Sequence, residues 1–316
     1  MGNPNEHHVI LGAGAIGFAV ARELAKRGAR VRMVNRRGIA ADAPDGVEII
    51  AADLYRADEV QRVTQDAAVV YQSAQPQYHE WPEKFPPLQA SILAGMTSGN
   101  AKLVIVENLY GYGETNGQPL TEDLPFNAQT RKGRVRAQMA DAALAAHRAG
   151  NVRVTIGRGS DYFGPFGLNS GFGDRMFLPA LAGKAAQAAG NLDVAHTVTF
   201  IDDFARALVI LGEHDAALGQ AWHVPNDRPT ITQREFITLI FAELGLPPKM
   251  SALSRWMMGL AGLFIPAARE TVEMMYEFEK PFVVDSSKFE RRFGMKPTPI
   301  RDAIQQTVTW YREHAK

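Results

Sequence analysis

The chain has 316 residues, of which 34 are Lys or Arg, 34 are Asp or Glu and 46% are hydrophobic, so its formal net charge is zero. That length holds two domains or one large α/β domain with an extension, and the charge balance argues against nucleic acid as a partner. With no cysteine anywhere, disulfides, a thiolate nucleophile and cysteine-ligated metal sites are excluded.

The start, Met1 to His8, lacks a basic segment followed by an apolar one, and position six is Glu where a myristoylation signal needs Ser or Thr. The stretch from Trp256 to Ala268 is apolar but carries Gly259, Gly262 and Pro266 and is too short to span a bilayer. A cytoplasmic protein without a membrane partner is the expectation. The first strong signal is the apolar run Val9-Ile10-Leu11, which leads into Gly12, Gly14 and Gly17 and then a helical pattern ending at Gly28. Strand, tight turn and helix start with G-x-G-x-x-G spacing form the fingerprint of a dinucleotide fold. Gly12 permits the turn, Gly14 leaves room for a pyrophosphate, and Gly17 lets the helix pack closely on the strand. Ala15 and Ile16 contribute free N–H groups of the helix start to the same anion site.

A second strand, Arg30 to Val34, ends in Asn35-Arg36-Arg37. A site that prefers NAD places a carboxylate there for the ribose 2′-hydroxyl, whereas guanidinium groups suit a 2′-phosphate. NADP is therefore the expected cofactor, with NAD less favoured. Val47 to Ala51 reads as a third strand, followed by Asp53 and Leu54 at the adenine. A polar helix from Asp58 to Asp66 and a fourth strand from Ala67 to Gln72 follow, which brings Ser73 and Ala74 to the nicotinamide half. A helix from Leu88 to Met96 leads to the apolar strand Lys102 to Val106 and the cluster Asn108-Leu109-Tyr110-Gly111-Tyr112. A long helix from about Thr130 to His147 and a strand from Asn151 to Ile156 complete the alternation. Strands and helices alternating at this spacing predict an α/β, Rossmann-like, doubly wound parallel sheet over residues 1–157.

From Gly157 the alternation weakens, and residues 158–316 read as a smaller, mixed and mainly helical substrate lobe, with segments near 194–212 and 282–290 returning to the first domain. Phe172 to Leu181, Phe236 to Leu244, Ser251 to Phe264 and the run holding Met274, Met275, Tyr276 and Phe278 carry apolar residues at helical spacing. Their aromatic and methionine side chains suit a flexible apolar pocket, with Arg175 and Lys184 available for a charged group. One of Asp202 and Asp203 is expected to cap a helix starting at Phe204. His196 and His223 lack metal-ligand spacing, so no metal is assigned.

In their order these motifs resemble the extended short-chain dehydrogenase/reductase superfamily, the group of NAD(P)-dependent epimerases and dehydratases. The resemblance rests on the glycine motif, Asp53, Tyr112-Gly113, Arg158 to Pro165, Thr199 to Ala207, Ala221 to Val224 and the tail from Asp285 to Tyr311, and so spans nearly the whole chain. It implies a Ser or Thr after the fifth strand and a Tyr-x-x-x-Lys on the long helix, where tyrosine moves the proton and lysine lowers its pKa. This sequence departs there: Asn108 occupies the Ser position, and alignment of the helix puts Thr130 at the tyrosine and Arg134 at the lysine. Tyr110 or Tyr112, or Tyr162 from the second lobe, would then stand in for the phenol, with Arg134 or Lys132 supplying positive charge and Asn108 orienting a carbonyl. Tyr110 is preferred, because residues two apart in an extended segment share a face and it would point as Asn108 does.

The expected function is an NADP-dependent oxidoreductase acting on a small or apolar carbonyl or hydroxyl compound. Two alternatives stand beside it, a non-catalytic NADP-binding redox sensor and a sugar-nucleotide epimerase or dehydratase with a replaced acid/base. Relatives often pair through helices equivalent to Leu88–Met96 and Thr130–His147, which implies a possible homodimer.

Overall fold

The computed structural model describes residues 6–97, 99–261 and 270–314. Its first half alternates β1 (His7–Leu11), α1 (Ala15–Lys26), β2 (Arg30–Asn35), β3 (Glu48–Ala51), α2 (Ala57–Thr64), β4 (Val69–Gln72), α3 (Trp81–Met96), β5 (Lys102–Glu107), α4 (Arg131–Arg148) and β6 (Arg153–Arg158). The second half adds β7 (Asp161–Phe163), α5 (Asp174–Leu181), β8 (Ala186–Ala189), β9 (Val198–Phe200), α6 (Ile201–Glu213) and β10 (Ala221–His223). It closes with α7 (Gln233–Glu243), β11 (Met250–Leu253), α8 (Arg255–Ala261), α9 (Tyr276–Glu279), α10 (Ser287–Phe293) and α11 (Ile300–His314).

Seven strands form one parallel sheet in the order β3-β2-β1-β4-β5-β6-β10. Alternate residues feed its two faces. Val9, Leu11, Val70, Leu103 and Ile105 pack against α2, α3 and α4, while Ile10, Met33, Tyr71 and Val104 pack against α1 and α6. Burial on both sides explains why these strands read as nearly continuous apolar runs. The strand order reverses between β1 and β4, and such a switch opens a crevice at the carboxyl ends of the strands. A third cluster, built from α5, α7, α11 and the phenylalanines of β7 and β9, forms the core of the second half.

Several expected boundaries move. The helix expected from Leu88 begins at Trp81, despite Pro82, Pro86 and Pro87. Pro82 falls in the first turn, where an N–H has no intrahelical acceptor, and the buried Trp81 and Phe85 hold the rest in place. The helix expected over 251–264 is instead β11, paired in parallel with β8, and then the short α8; its last three positions lie outside the described residues, as does the end of the apolar stretch from Trp256. Neither Asp202 nor Asp203 caps α6, which starts at Ile201 after Phe200 with no side-chain cap. Asp202 pairs with Arg22, and Asp203 accepts bonds from the Thr298 N–H and hydroxyl and from Arg206. Among the described residues no helix is long and apolar enough to cross a membrane.

Candidate active site

The three glycines shape the turn between β1 and α1. Gly12 adopts φ +115°, and a Cβ there would lie 2.5 Å from the Ala74 nitrogen, so only glycine fits. At Gly17 a Cβ would lie 2.2 Å from the Gly12 carbonyl oxygen, which is the close helix-to-turn packing expected of it. Gly14 has no atom within 4 Å of a built Cβ, so the space beside the α1 N-terminus is open. Ala15 and Ile16 form the first turn of α1 behind it, with N–H groups that have no intrahelical acceptor. Ser73 is drawn into the turn itself, its hydroxyl donating to the Leu11 and Gly12 carbonyls at 3.2 and 3.1 Å.

At the end of β2 the Asn35 side chain serves its own loop. Its oxygen accepts the Arg37 and Gly38 N–H groups at 2.9 and 2.8 Å, and its amide donates to the Ile39 carbonyl. Arg36 and Arg37 are left exposed on that built turn. Asp53 is exposed and accepts the Tyr55 N–H, while Leu54 turns into the core. Tyr55 stands close enough to Arg36 and Asp53 to feel both charges, which marks one patch where an adenosine with a 2′-phosphate could lie.

The candidate chemical half lies beyond the ends of β4 and β5. The Tyr78 hydroxyl, from the loop after β4, donates to the Tyr110 hydroxyl at 3.4 Å, and the Tyr110 N–H donates to the Asn108 side chain at 3.3 Å. Trp81 packs beside both rings. Lys132 has a fully buried side chain, with its ammonium 4.5 Å from the centre of the Tyr78 ring and bonded to Glu270 and Glu273. From the second half, Asp161 and Glu277 bring carboxyls near the same phenols. Asp161 bonds His196 at 2.9 Å, and Glu277 accepts the Tyr276 hydroxyl at 3.3 Å. Tyr162, next to Asp161, packs in the same apolar cluster as Ala13 and Ile16, which joins this region to the glycine turn.

Burial pushes the pKa of both Tyr78 and Tyr110 up, and the Asp161 and Glu277 carboxyls add to it. Burial, with Asp161 nearby, likewise lifts Glu277 well above the ordinary carboxyl range. The two phenols therefore keep their protons near neutrality and can act as hydrogen-bond donors. The Lys132 charge is compensated by its two glutamates, so the expected stabilisation of a phenolate by Lys132 or Arg134 is not the arrangement found.

Other expected residues are placed differently. Thr130 is the N-cap of α4, its hydroxyl accepting the Gly133 N–H at 3.1 Å. Arg134 is exposed and donates to the Gln129 carbonyl, so these two positions do not form an acid/base pair in the cleft. The Tyr112 hydroxyl is buried, bonded to Arg158 at 2.5 Å and to His223 at 2.8 Å. Tyr78, Asp161 and Glu277 were not legible as site residues. Tyr78 follows a strand in a loop with no motif, and the two carboxyls reach the cleft only through the tertiary fold.

The family model for the NAD-dependent epimerase/dehydratase family matches residues 8–224. The chain belongs to that family. No curated protein matches it in sequence. Among solved structures, gox2253 has a TM-score of 0.79 at 20% identity, covering 98% of this chain and 99% of that one. The UDP-glucuronic acid 4-epimerase from Bacillus cereus, in complex with NAD, has a TM-score of 0.77 at 17% identity, with 98% and 100% covered. The dTDP-glucose 4,6-dehydratase from Bacillus anthracis, also in complex with NAD, has 0.77 at 16%, with 98% and 97% covered. At such identity the likeness shows a shared fold. The Tyr-x-x-x-Lys pattern that the resemblance implies is absent from α4, and the Tyr78–Tyr110 pair lies beside the buried Lys132 at its start.

Proposed function

We propose that the protein is an NADP-dependent oxidoreductase acting on a small or apolar carbonyl or hydroxyl compound. The observation that carries this reading is the part-buried Tyr78–Tyr110 hydroxyl pair, on the segments after β4 and β5, one and two sheet positions away from a glycine turn left open at Gly14. Gly12, Gly14, Ala15, Ile16 and Gly17 would hold the pyrophosphate, and Arg36 and Arg37 the 2′-phosphate. Asp53 and Tyr55 would flank the adenine. The bound cofactor supplies the hydride chemistry. The chain's own part is to donate a hydrogen bond from Tyr110 to a substrate oxygen and pass it a proton as charge develops, with Tyr78 behind it as the next donor.

Calorimetric titration with NADPH and NADH tests the cofactor half: NADPH should bind more tightly, and Arg36→Ala with Arg37→Ala should abolish that preference. Equal affinities in the wild type would remove the NADP assignment. A panel of uncharged aldehydes and ketones, followed by NADPH absorbance, tests the chemistry, with Tyr110→Phe expected to lose turnover but keep cofactor affinity. A second reading, a sugar-nucleotide epimerase or dehydratase, is favoured by the family and by neighbours named for those activities in complex with NAD. Tightly held NAD copurifying with the protein would support it, because that chemistry regenerates its cofactor in each cycle.

A further inference from the structure

We infer that the buried chain Glu107, Arg158, Tyr112 and His223 acts as a set of positioning residues that hold the Asn108–Tyr110 segment in place for the reaction proposed above, on whose reading the inference rests. The chain has a single consistent direction of donation. His223 Nδ1 faces the Asp285 carbonyl at 3.0 Å and must donate to it, which leaves Nε2 as an acceptor for the Tyr112 hydroxyl at 2.8 Å. The Tyr112 oxygen accepts in turn from Arg158 Nη1 at 2.5 Å, and Arg158 Nε donates to the Glu107 carboxylate at 2.6 Å. All four side chains are at most 4% exposed.

Its placement gives the chain its role. Glu107 is the last residue of β5, and Tyr112 ends the short 3-10 turn of Tyr110–Tyr112. Arg158, at the end of the neighbouring β6, thus grips both ends of the segment that carries Asn108 and Tyr110. The turn closes on itself through Tyr112 N–H to the Leu109 carbonyl at 3.1 Å. An apolar core could stabilise this corner without the cost of desolvating an ion pair, whereas hydrogen bonds running in one direction through Arg158, Tyr112 and His223 specify one geometry, with Arg136 as a second cation 3.5 Å from the other Glu107 oxygen. Burial opposes the Arg158 charge, and Glu107 and Tyr112 together more than offset it. Burial, with Arg158 adding to it, depresses His223 to about 3, in keeping with its role as neutral acceptor.

The test compares Tyr112→Phe with Tyr71→Phe, a second buried tyrosine whose hydroxyl also partners a histidine, His8 at 3.2 Å, but in the cluster under α1 and α6. Amide hydrogen exchange across Asn108–Gly113 should quicken on the order of tenfold in Tyr112→Phe and stay unchanged in Tyr71→Phe. With a carbonyl substrate, kcat should fall by about tenfold or more while the NADPH Kd stays within about twofold. Should Tyr112→Phe fail to fold, Glu107→Ala removes the acceptor for Arg158 Nε at the other end of the chain and carries the same readouts. Equal loosening of the segment by Tyr71→Phe, or unchanged exchange after breaking the chain, overturns the inference. If the wild type turns over no carbonyl, the functional reading fails, and the exchange comparison alone still decides whether the chain holds the segment.

Discussion

At Gly14 an added methyl group would meet only open space, while at Gly17 it would collide with the Gly12 carbonyl. The two glycines of one motif therefore answer to different demands, and substitution separates them. Gly17→Ala should destabilise the protein by about 2–3 kcal/mol through overpacking. Gly14→Ala should cost less than about 1 kcal/mol as a poorer N-cap, yet weaken NADPH binding severalfold or more. Thermal unfolding and cofactor titration of both variants check this, and undiminished NADPH binding by Gly14→Ala would count against a pyrophosphate there. The tight turn at Gly12 and the close packing at Gly17 were readable from spacing because close approach is a backbone property tied to a local turn. The role of Asn35 was not. Nothing in its position reveals that its side chain closes on Arg37, Gly38 and Ile39 instead of facing a ribose.

Helix α4 shows how an element can be read correctly and still be turned the wrong way. Its length and start follow the sequence closely, and Thr130 with Arg134 sits at the spacing of the family's tyrosine and lysine. Residues two apart on a helix point to nearly opposite sides, and here the fold buries Lys132 and leaves Arg134 in solvent. The choice is made by Glu270 and Glu273, well over a hundred residues away, which clamp Lys132 and, through Glu273, the Arg131 N–H. Thr130→Ala should remove only a cap, at about 1 kcal/mol, and leave turnover unchanged. Lys132→Met, which strands two carboxylates beside the cleft, should destabilise by more, about 3 kcal/mol, and lower turnover. Denaturant unfolding with activity assays distinguishes the two; loss of turnover in Thr130→Ala would restore it as a candidate for the chemistry.

Across the whole molecule, acid should weaken the fold through histidines held neutral inside it. Burial depresses His8, on the central strand β1, to about 4. An unfolded histidine takes up its proton near pH 6.5, so between about 6.5 and 4 the unfolded chain binds more protons and stability falls with pH. The slope is up to about 1.4 kcal/mol per pH unit for such a group. Denaturant unfolding of the wild type and His8→Gln should show their stability difference shifting against the wild type as pH drops from neutrality through that window. Carboxyls shared by both proteins cancel in the comparison. A difference independent of pH would mean that His8 is not buried uncharged.

The amino-acid sequence by itself determined the sheet, the glycine turn and the basic end of β2, because strand periodicity, tight turns and helix starts are written in residues close to one another. Tertiary structure decided which side chains meet at the candidate site. Tyr78, Tyr110, Lys132, Asp161 and Glu277 come from separate stretches of chain, and burial by distant partners raises the pKa of the two phenols and of Glu277. Neither effect leaves a trace in local spacing, because desolvation and charge act through space between groups that only folding brings together.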